Sequence, residues 1–215
     1  MRRVSVGGTS GSGKSTLARE LADILKVPHL ELDGVFHQPG WAPLPVGEFR
    51  ARVAEFTAQD GWVTDGNYSV VRGLIWERAD TVAWLDLPRI LVMRRLIWRT
   101  LRRMATRQEL WNGNRESARN LFSRDPEKSI IMWGWTTHAM NRAKYLAASQ
   151  DPDNARLTFI RLTSPRAVRR FLADVSRGET PRNPPARPPP AKGHKPPWSR
   201  TETHMCWPGG SPPGS

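Results

Sequence analysis

Apolar residues recur along this chain in two alternating periods. Short runs such as Val4-Ser5-Val6 read as strands, which places strands at Arg3 to Val6, His29 to Leu32, Trp62 to Thr64, Thr81 to Leu85 and Leu157 to Leu162. Between them the apolar spacing lengthens to three and four. Lys14 to Leu25 sets Leu17, Leu21 and Ile24 on one helical face, and Pro28 separates that helix from the second strand. A longer helix is predicted over Arg89 to Arg107, with Ile90, Met93, Ile97, Leu101 and Met104 as one buried stripe, and further helix over Glu127 to Ala148. No segment repeats. Strands alternating with helices in this way build a parallel sheet with helices on its faces, the α/β class.

The pattern stops near Arg177. From there to Ser215 lie 11 of the 19 prolines, mixed with Gly, Ser and basic residues and nearly without aliphatics, which is the composition of a disordered basic tail. The expected organisation is one folded domain over residues 1–176, with a Pro-rich tail over 177–215. The single cysteine, Cys206, falls in the tail, so the folded part is expected to hold neither a disulfide nor a cysteine metal site. No run of 18 apolar residues occurs, which excludes a membrane-spanning helix. A strand beginning at Arg3 leaves no room for a secretory leader, and the expectation is a cytoplasmic protein.

Between the first strand and the first helix, Gly8-Thr9-Ser10-Gly11-Ser12-Gly13-Lys14-Ser15 matches G-x-x-x-x-G-K-[ST] in full, in the strand-to-helix context that the motif needs. Its glycines let the backbone curl so that successive N–H groups point at phosphate oxygens, and the following helix adds its positive end. The motif assigns Lys14 to the β- and γ-phosphates of ATP and the Ser15 hydroxyl to Mg²⁺, with Thr16 beside them. The loop alone does not tell a kinase from an ATPase or a GTPase.

In open α/β sheets ligands bind beyond the carboxyl ends of the strands, so carboxylates there are the next candidates. Asp33, read as ending the second strand, precedes Gly34-Val35-Phe36-His37-Gln38-Pro39-Gly40-Trp41, a stretch suited to lining an acceptor pocket, and its carboxylate suits deprotonation of an acceptor hydroxyl. A turn aspartate is the plainer alternative, and for His37 a structural role weighs as much as a functional one. Asp65 opens Asp65-Gly66-Asn67-Tyr68 and is the preferred carboxylate for Mg²⁺, ahead of Asp86, where Leu87-Pro88 starts a helix and a capping role competes.

The net charge of +13 suits either nucleic acid or a pocket for several phosphates. On the long helix Arg95, Arg99 and Arg102 project from the side opposite the expected stripe, flanked by Arg94 and Arg103, with no acidic residue before Glu109. Such a cluster is unfavourable unless anions lie nearby, although a solvated face is the ordinary explanation of a charge run. Arg99 and Arg103 are taken as the catalytic cations. The polar break from Glu109 to Glu116 then has the form of a mobile cover, a lid over about 105–128 that excludes water and brings cations to the transferring phosphoryl group.

This order of features resembles the nucleotide-kinase branch of P-loop proteins, the adenylate kinase and shikimate kinase relatives, and within it the bacterial adenylate-kinase-like group labelled topology modulation proteins. The matching residues are Gly8 to Ser15, Leu32-Asp33 with Trp41, Trp62 to Tyr68, Trp84 to Pro88, and Arg107 with Glu109 to Glu116, so the resemblance spans roughly Met1 to Val175. It implies a P-loop NTPase sheet of five parallel strands in the order 2-3-1-4-5, a substrate-binding insertion after the second strand, a helical lid after the fourth, and Arg107 on the nucleotide. The AMP-site pattern of adenylate kinases is missing, which leaves the acceptor open.

Together these readings give an ATP- and Mg²⁺-dependent phosphotransferase acting on a small-molecule or nucleotide acceptor. A nucleic-acid-associated ATPase affecting DNA topology is the second reading, not favoured because no helix-turn-helix, zinc finger or stacking platform accompanies the basic charge. A GTPase switch ranks last, since no Asn-Lys-x-Asp pattern is present.

Overall fold

The computed structural model describes residues 1–106, 109–114 and 130–179. Five strands, β1 (Arg3–Gly8), β2 (His29–Glu31), β3 (Trp62–Asp65), β4 (Thr81–Leu85) and β5 (Thr158–Leu162), form one sheet in the order β2-β3-β1-β4-β5. Every pairing is parallel, with Val6 beside Asp65, Gly8 beside Leu85 and Glu31 beside Asp65. The helices are α1 (Lys14–Leu25), α2 (Leu32–Phe36), α3 (Val46–Thr57), α4 (Ser69–Arg78), α5 (Arg89–Ala105), α6 (Ile130–Gln150) and α7 (Pro165–Ser176). The α/β class is the one expected from the strand and helix pattern, and the strand order is the one that the resemblance to P-loop kinases implied.

The period of two in the strands sorts their side chains onto two faces. Val4, Val6, Val63, Ala83, Leu85, Ile160 and Leu162 point to one side, where α1 contributes Leu17 and Leu21 and α7 contributes Phe171 and Val175. Trp62, Val82, Trp84 and Phe159 point to the other, against Phe49 and Val53 of α3, Val71 and Ile75 of α4, and Tyr145 of α6. Trp62 is fully buried, and its indole N–H finds the Thr57 carbonyl at 3.1 Å, so its polar atom is satisfied. Both faces being covered, the strands read as nearly continuous apolar runs.

Three sequence expectations are revised. β2 ends at Glu31, and Asp33 lies two residues beyond it in the short helix α2 rather than on the strand. The buried face of α5 is Val92, Met93, Leu96 and Thr100, while Ile90 and Leu101 of the expected stripe are exposed to 81% and 42%. Contact with the phosphate loop selects that face, since a Cβ on Gly11 would lie 2.9 Å from Leu96 Cβ and 3.0 Å from the Val92 carbonyl. Arg102 accordingly faces solvent, and Arg95, Arg99 and Arg103 are the arginines turned to the cavity at the sheet's carboxyl edge. Arg107, most of the expected lid, the Met104 side chain and the tail beyond Glu179, with Cys206, lie outside the described residues. No helix among the described residues is long and apolar enough to cross a membrane.

Candidate active site

One cavity of about 540 Å³ runs along the carboxyl ends of the strands. Its floor is the loop from Ser10 to Thr16. Gly8, Gly11 and Gly13 have φ of 145°, 83° and 97°, and the Ser12 N–H closes a turn on the Thr9 carbonyl at 3.0 Å. These positive φ values are what a side chain would resist, so the glycines set the curl. Gly13 leads directly into the first turn of α1 and its free N–H groups. The Ser12 hydroxyl is buried without a hydrogen-bond partner among the described residues.

Lys14 reaches back to the Thr9 carbonyl at 3.3 Å. Desolvation holds its ammonium below the ordinary lysine range, and Asp33 and Asp65 act against that shift, with Arg99 adding to it and Glu31 opposing it. A desolvated cation in a phosphate-shaped loop is stabilised by an incoming anion. Arg95 extends from α5 to the Ser12 carbonyl at 3.4 Å, and Arg99 and Arg103 follow on successive turns of the same helix.

Ser15 Oγ lies 2.6 Å from Asp65 Oδ2 and 2.8 Å from Glu31 Oε1. A single hydroxyl proton cannot serve two carboxylates fully, so the three groups together offer oxygen lone pairs to a cation. They are hard donors in the number that Mg²⁺ takes from a protein when phosphates and waters supply the rest, and the residues fit that ion. Among the described residues no group of three or more His, Cys, Asp or Glu forms a closed metal cage. Asp65 is buried and also bonded by His29 Nε2 at 2.8 Å. The Asp86 carboxylate pairs with Arg161 Nε at 2.8 Å and with Arg142 at 3.5 Å.

The far wall of the cavity is aromatic. Asp33, His37, Trp41 and Trp111 line it, with Asp33 Oδ1 accepting from the Tyr68 hydroxyl at 2.7 Å and His37 Nε2 lying 3.4 Å from that tyrosine hydroxyl. The His37 imidazole is held below the usual histidine range by burial, which the Asp33 carboxylate partly offsets. Trp41 sits at φ 61°, a conformation rare for a side chain of its size. Its N–H donates to Asn114 Oδ1 at 2.9 Å, while Asn114 Nδ2 donates to the Gln38 carbonyl at 2.9 Å. Asn112 Nδ2 donates to the His37 carbonyl at 2.6 Å, and Trp111 lies so close to Gly34 that a Cβ there would meet its ring at 2.8 Å. The start of the expected lid is thus clasped to the segment after β2.

The structure brings Gly11 to Ser15, Asp33, Arg99 and Arg103 onto one cavity, and sets Asp65 against Ser15. It also adds residues that the motifs do not name. Glu31 is the true last residue of β2, and the strand-end rule applied two positions before Asp33 would have found it. Pro165, Val168, Arg169 and Leu172 of α7 close the cavity beside Thr16 and Arg19, on the side away from the aromatic wall. Only their position after the last strand marks them in sequence. Asn112 and Asn114 carry no sequence signal of their partners, which lie more than 70 residues away.

No family model and no curated protein matches the chain. Solved structures do. A shikimate kinase from Acinetobacter baumannii in complex with shikimate is 18% identical, covering 81% of this chain and 90% of its own, with a TM-score of 0.49. A shikimate kinase from Bacteroides thetaiotaomicron is 14% identical, covering 82% and 97%, with a TM-score of 0.48. A sugar kinase from Janibacter sp. HTCC2649 is 20% identical, covering 80% and 93%, with a TM-score of 0.46. Identities this low carry neither a substrate nor a residue role to this chain.

Proposed function

We propose that the protein is an ATP-dependent phosphotransferase that moves the γ-phosphoryl group to a small acceptor bound against the aromatic wall. The observation that carries this reading is the continuity of one cavity from the phosphate loop to Asp33, His37, Trp41 and Trp111. Hydrolysis needs room for a water only. A walled space with ring faces and a carboxylate next to the phosphate site suits a second substrate.

In this reading the loop N–H groups and Lys14 hold the phosphates, and the space beside Pro165, Val168 and Leu172 takes the nucleotide base. Ser15, Asp65 and Glu31 would hold Mg²⁺, which supplies Lewis-acid charge to the phosphate oxygens. Arg99 and Arg103 set planar donors beside the site of transfer, where charge develops on the equatorial oxygens. Asp33, fixed by Tyr68, accepts the proton of the attacking hydroxyl. Arg107 is retained as a nucleotide contact on the sequence argument alone.

The test is a transfer screen with γ-labelled ATP and Mg²⁺ against pooled metabolites that include nucleosides, nucleoside monophosphates, sugars and hydroxy acids, with Lys14→Ala as the blank. The expected result is label on an acceptor at a rate well above release of phosphate. Label recovered only as inorganic phosphate from every pool would make the protein an ATPase.

A further inference from the structure

Gly7 precedes the phosphate motif and is not part of it. Its backbone is not in the left-handed region, so conformation does not demand a glycine there. Space does. A Cβ on Gly7 would lie 2.0 Å from the Tyr145 hydroxyl and 2.4 Å from the ring carbon that carries it. Tyr145 belongs to α6, the helix that follows the lid region, and its ring stacks on Trp84 at 5.4 Å and 14°, in register with Gly7 across the β1–β4 pair.

At that point the hydroxyl donates to Asn67 Oδ1 at 2.9 Å. Asn67 Nδ2 donates to the Gly8 carbonyl at 2.6 Å, and Gly8 N–H returns to Asn67 Oδ1 at 3.4 Å. A carbonyl can only accept, so the Gly8 contact settles which end of the amide carries nitrogen and leaves Oδ1 for the tyrosine. Burial pushes the Tyr145 phenol up to about 12, so it is a neutral donor at neutral pH. The same face of α6 makes two further contacts at the sheet edge, His138 Nε2 with the Leu87 carbonyl at 2.9 Å and Arg142 with Asp86 at 3.5 Å.

We propose that Tyr145 is a positioning residue for the phosphate loop: through Asn67 it holds Gly8, the residue where β1 turns into the loop, and so ties α6 to nucleotide binding. The argument is geometric. Gly8 has φ 145° and is packed on Leu85, so the direction in which the loop leaves the strand depends on what holds its two peptide groups. Asn67 holds both, and Tyr145 holds Asn67. Loss of the hydroxyl leaves the amide held by its Gly8 bonds alone, of which the one to Oδ1 is long, so the loop N–H groups are less well aimed.

This inference rests on the reading of the loop as an ATP site, and the experiment separates the two. Titration calorimetry of the full chain with Mg²⁺ and a non-hydrolysable ATP analogue is carried out on the wild type, Tyr145→Phe, Asn67→Ala and the double variant, well below each melting temperature. Tyr145→Phe removes one hydroxyl and keeps the stacked ring, and should weaken binding about threefold to tenfold, the scale of one hydrogen bond. Its effect should largely vanish in the Asn67→Ala background, because the two residues act in series. Hydrogen exchange at Gly8 to Gly13 should speed up in step. A melting point lowered with unchanged affinity, or effects that add independently, would overturn the proposal and leave Tyr145 as packing. A wild type that binds no nucleotide would instead remove the proposed function itself.

Discussion

The two ends of the cavity are built in opposite ways. The phosphate end is a single stretch of chain, Gly8 to Ser15, whose shape comes from glycines at positive φ and whose donors are its own backbone N–H groups. The aromatic end is assembled from two segments, Gly34 to Trp41 and Trp111 to Asn114, joined by side-chain amides on backbone carbonyls. A contiguous loop has its geometry written into local torsions, and it serves any triphosphate. The aromatic end owes its shape to bonds that can be exchanged one by one, which suits a surface that selects an acceptor.

The largest effect should come from the phosphate end. Lys14→Ala removes the cation at the centre of the loop, and transfer measured with labelled ATP should fall about 10³-fold or more. Activity near the wild-type rate would mean that the loop is not where transfer occurs. At the junction, Asp33→Asn should leave nucleotide affinity nearly intact and lower transfer by about 10²-fold, the scale of a lost general base. Asp65→Asn should differ in kind, raising the Mg²⁺ requirement and recovering in part at higher Mg²⁺. Should both variants lose nucleotide binding equally, the division into two ends would fail.

The aromatic end should respond more gently and more selectively. Asn114→Ala breaks the bond from Trp41 N–H and the bond to Gln38, so the acceptor KM found by the screen should rise about tenfold, the scale of two ordinary hydrogen bonds. The ATP Kd should not change. A shift in Kd alone would place Asn114 with the nucleotide.

The smallest effect concerns stability against pH. His37 is held below the usual histidine range by burial, so below the unfolded value near 6.5 the unfolded chain binds a proton that the folded one resists. Folding therefore weakens as pH falls through 6.5 toward the depressed folded value, and is unaffected above it. Melting curves from pH 7.5 to 5.5 should show a wild-type decline that is shallower by a few degrees in His37→Gln. Parallel declines would show that His37 contributes nothing to it.

Several features were legible before any coordinates, for reasons that stay local. The strands alternate or run apolar because they must be buried, and the loop needs glycines where the backbone turns left-handed, so β1, the phosphate-loop curl and α1 could be read from Val4 to Leu25, whereas the strand order came only from the family resemblance. Asp65 could be singled out because strand ends gather at one edge of a parallel sheet, whereas Asp33 reaches that edge from α2 rather than from the end of β2. The face of α5 was not legible. Its apolar residues lie on more than one side, and only the packing of Val92 and Leu96 on Gly11 decides which are covered and which arginines enter the cavity. The grip of Asn112 and Asn114 on residues 34 to 41, and of Tyr145 on Asn67, likewise belongs to tertiary structure alone. A hydrogen bond across some 75 residues imposes no period, no cap and no composition on the segments it joins, so it leaves nothing in either for sequence to reveal.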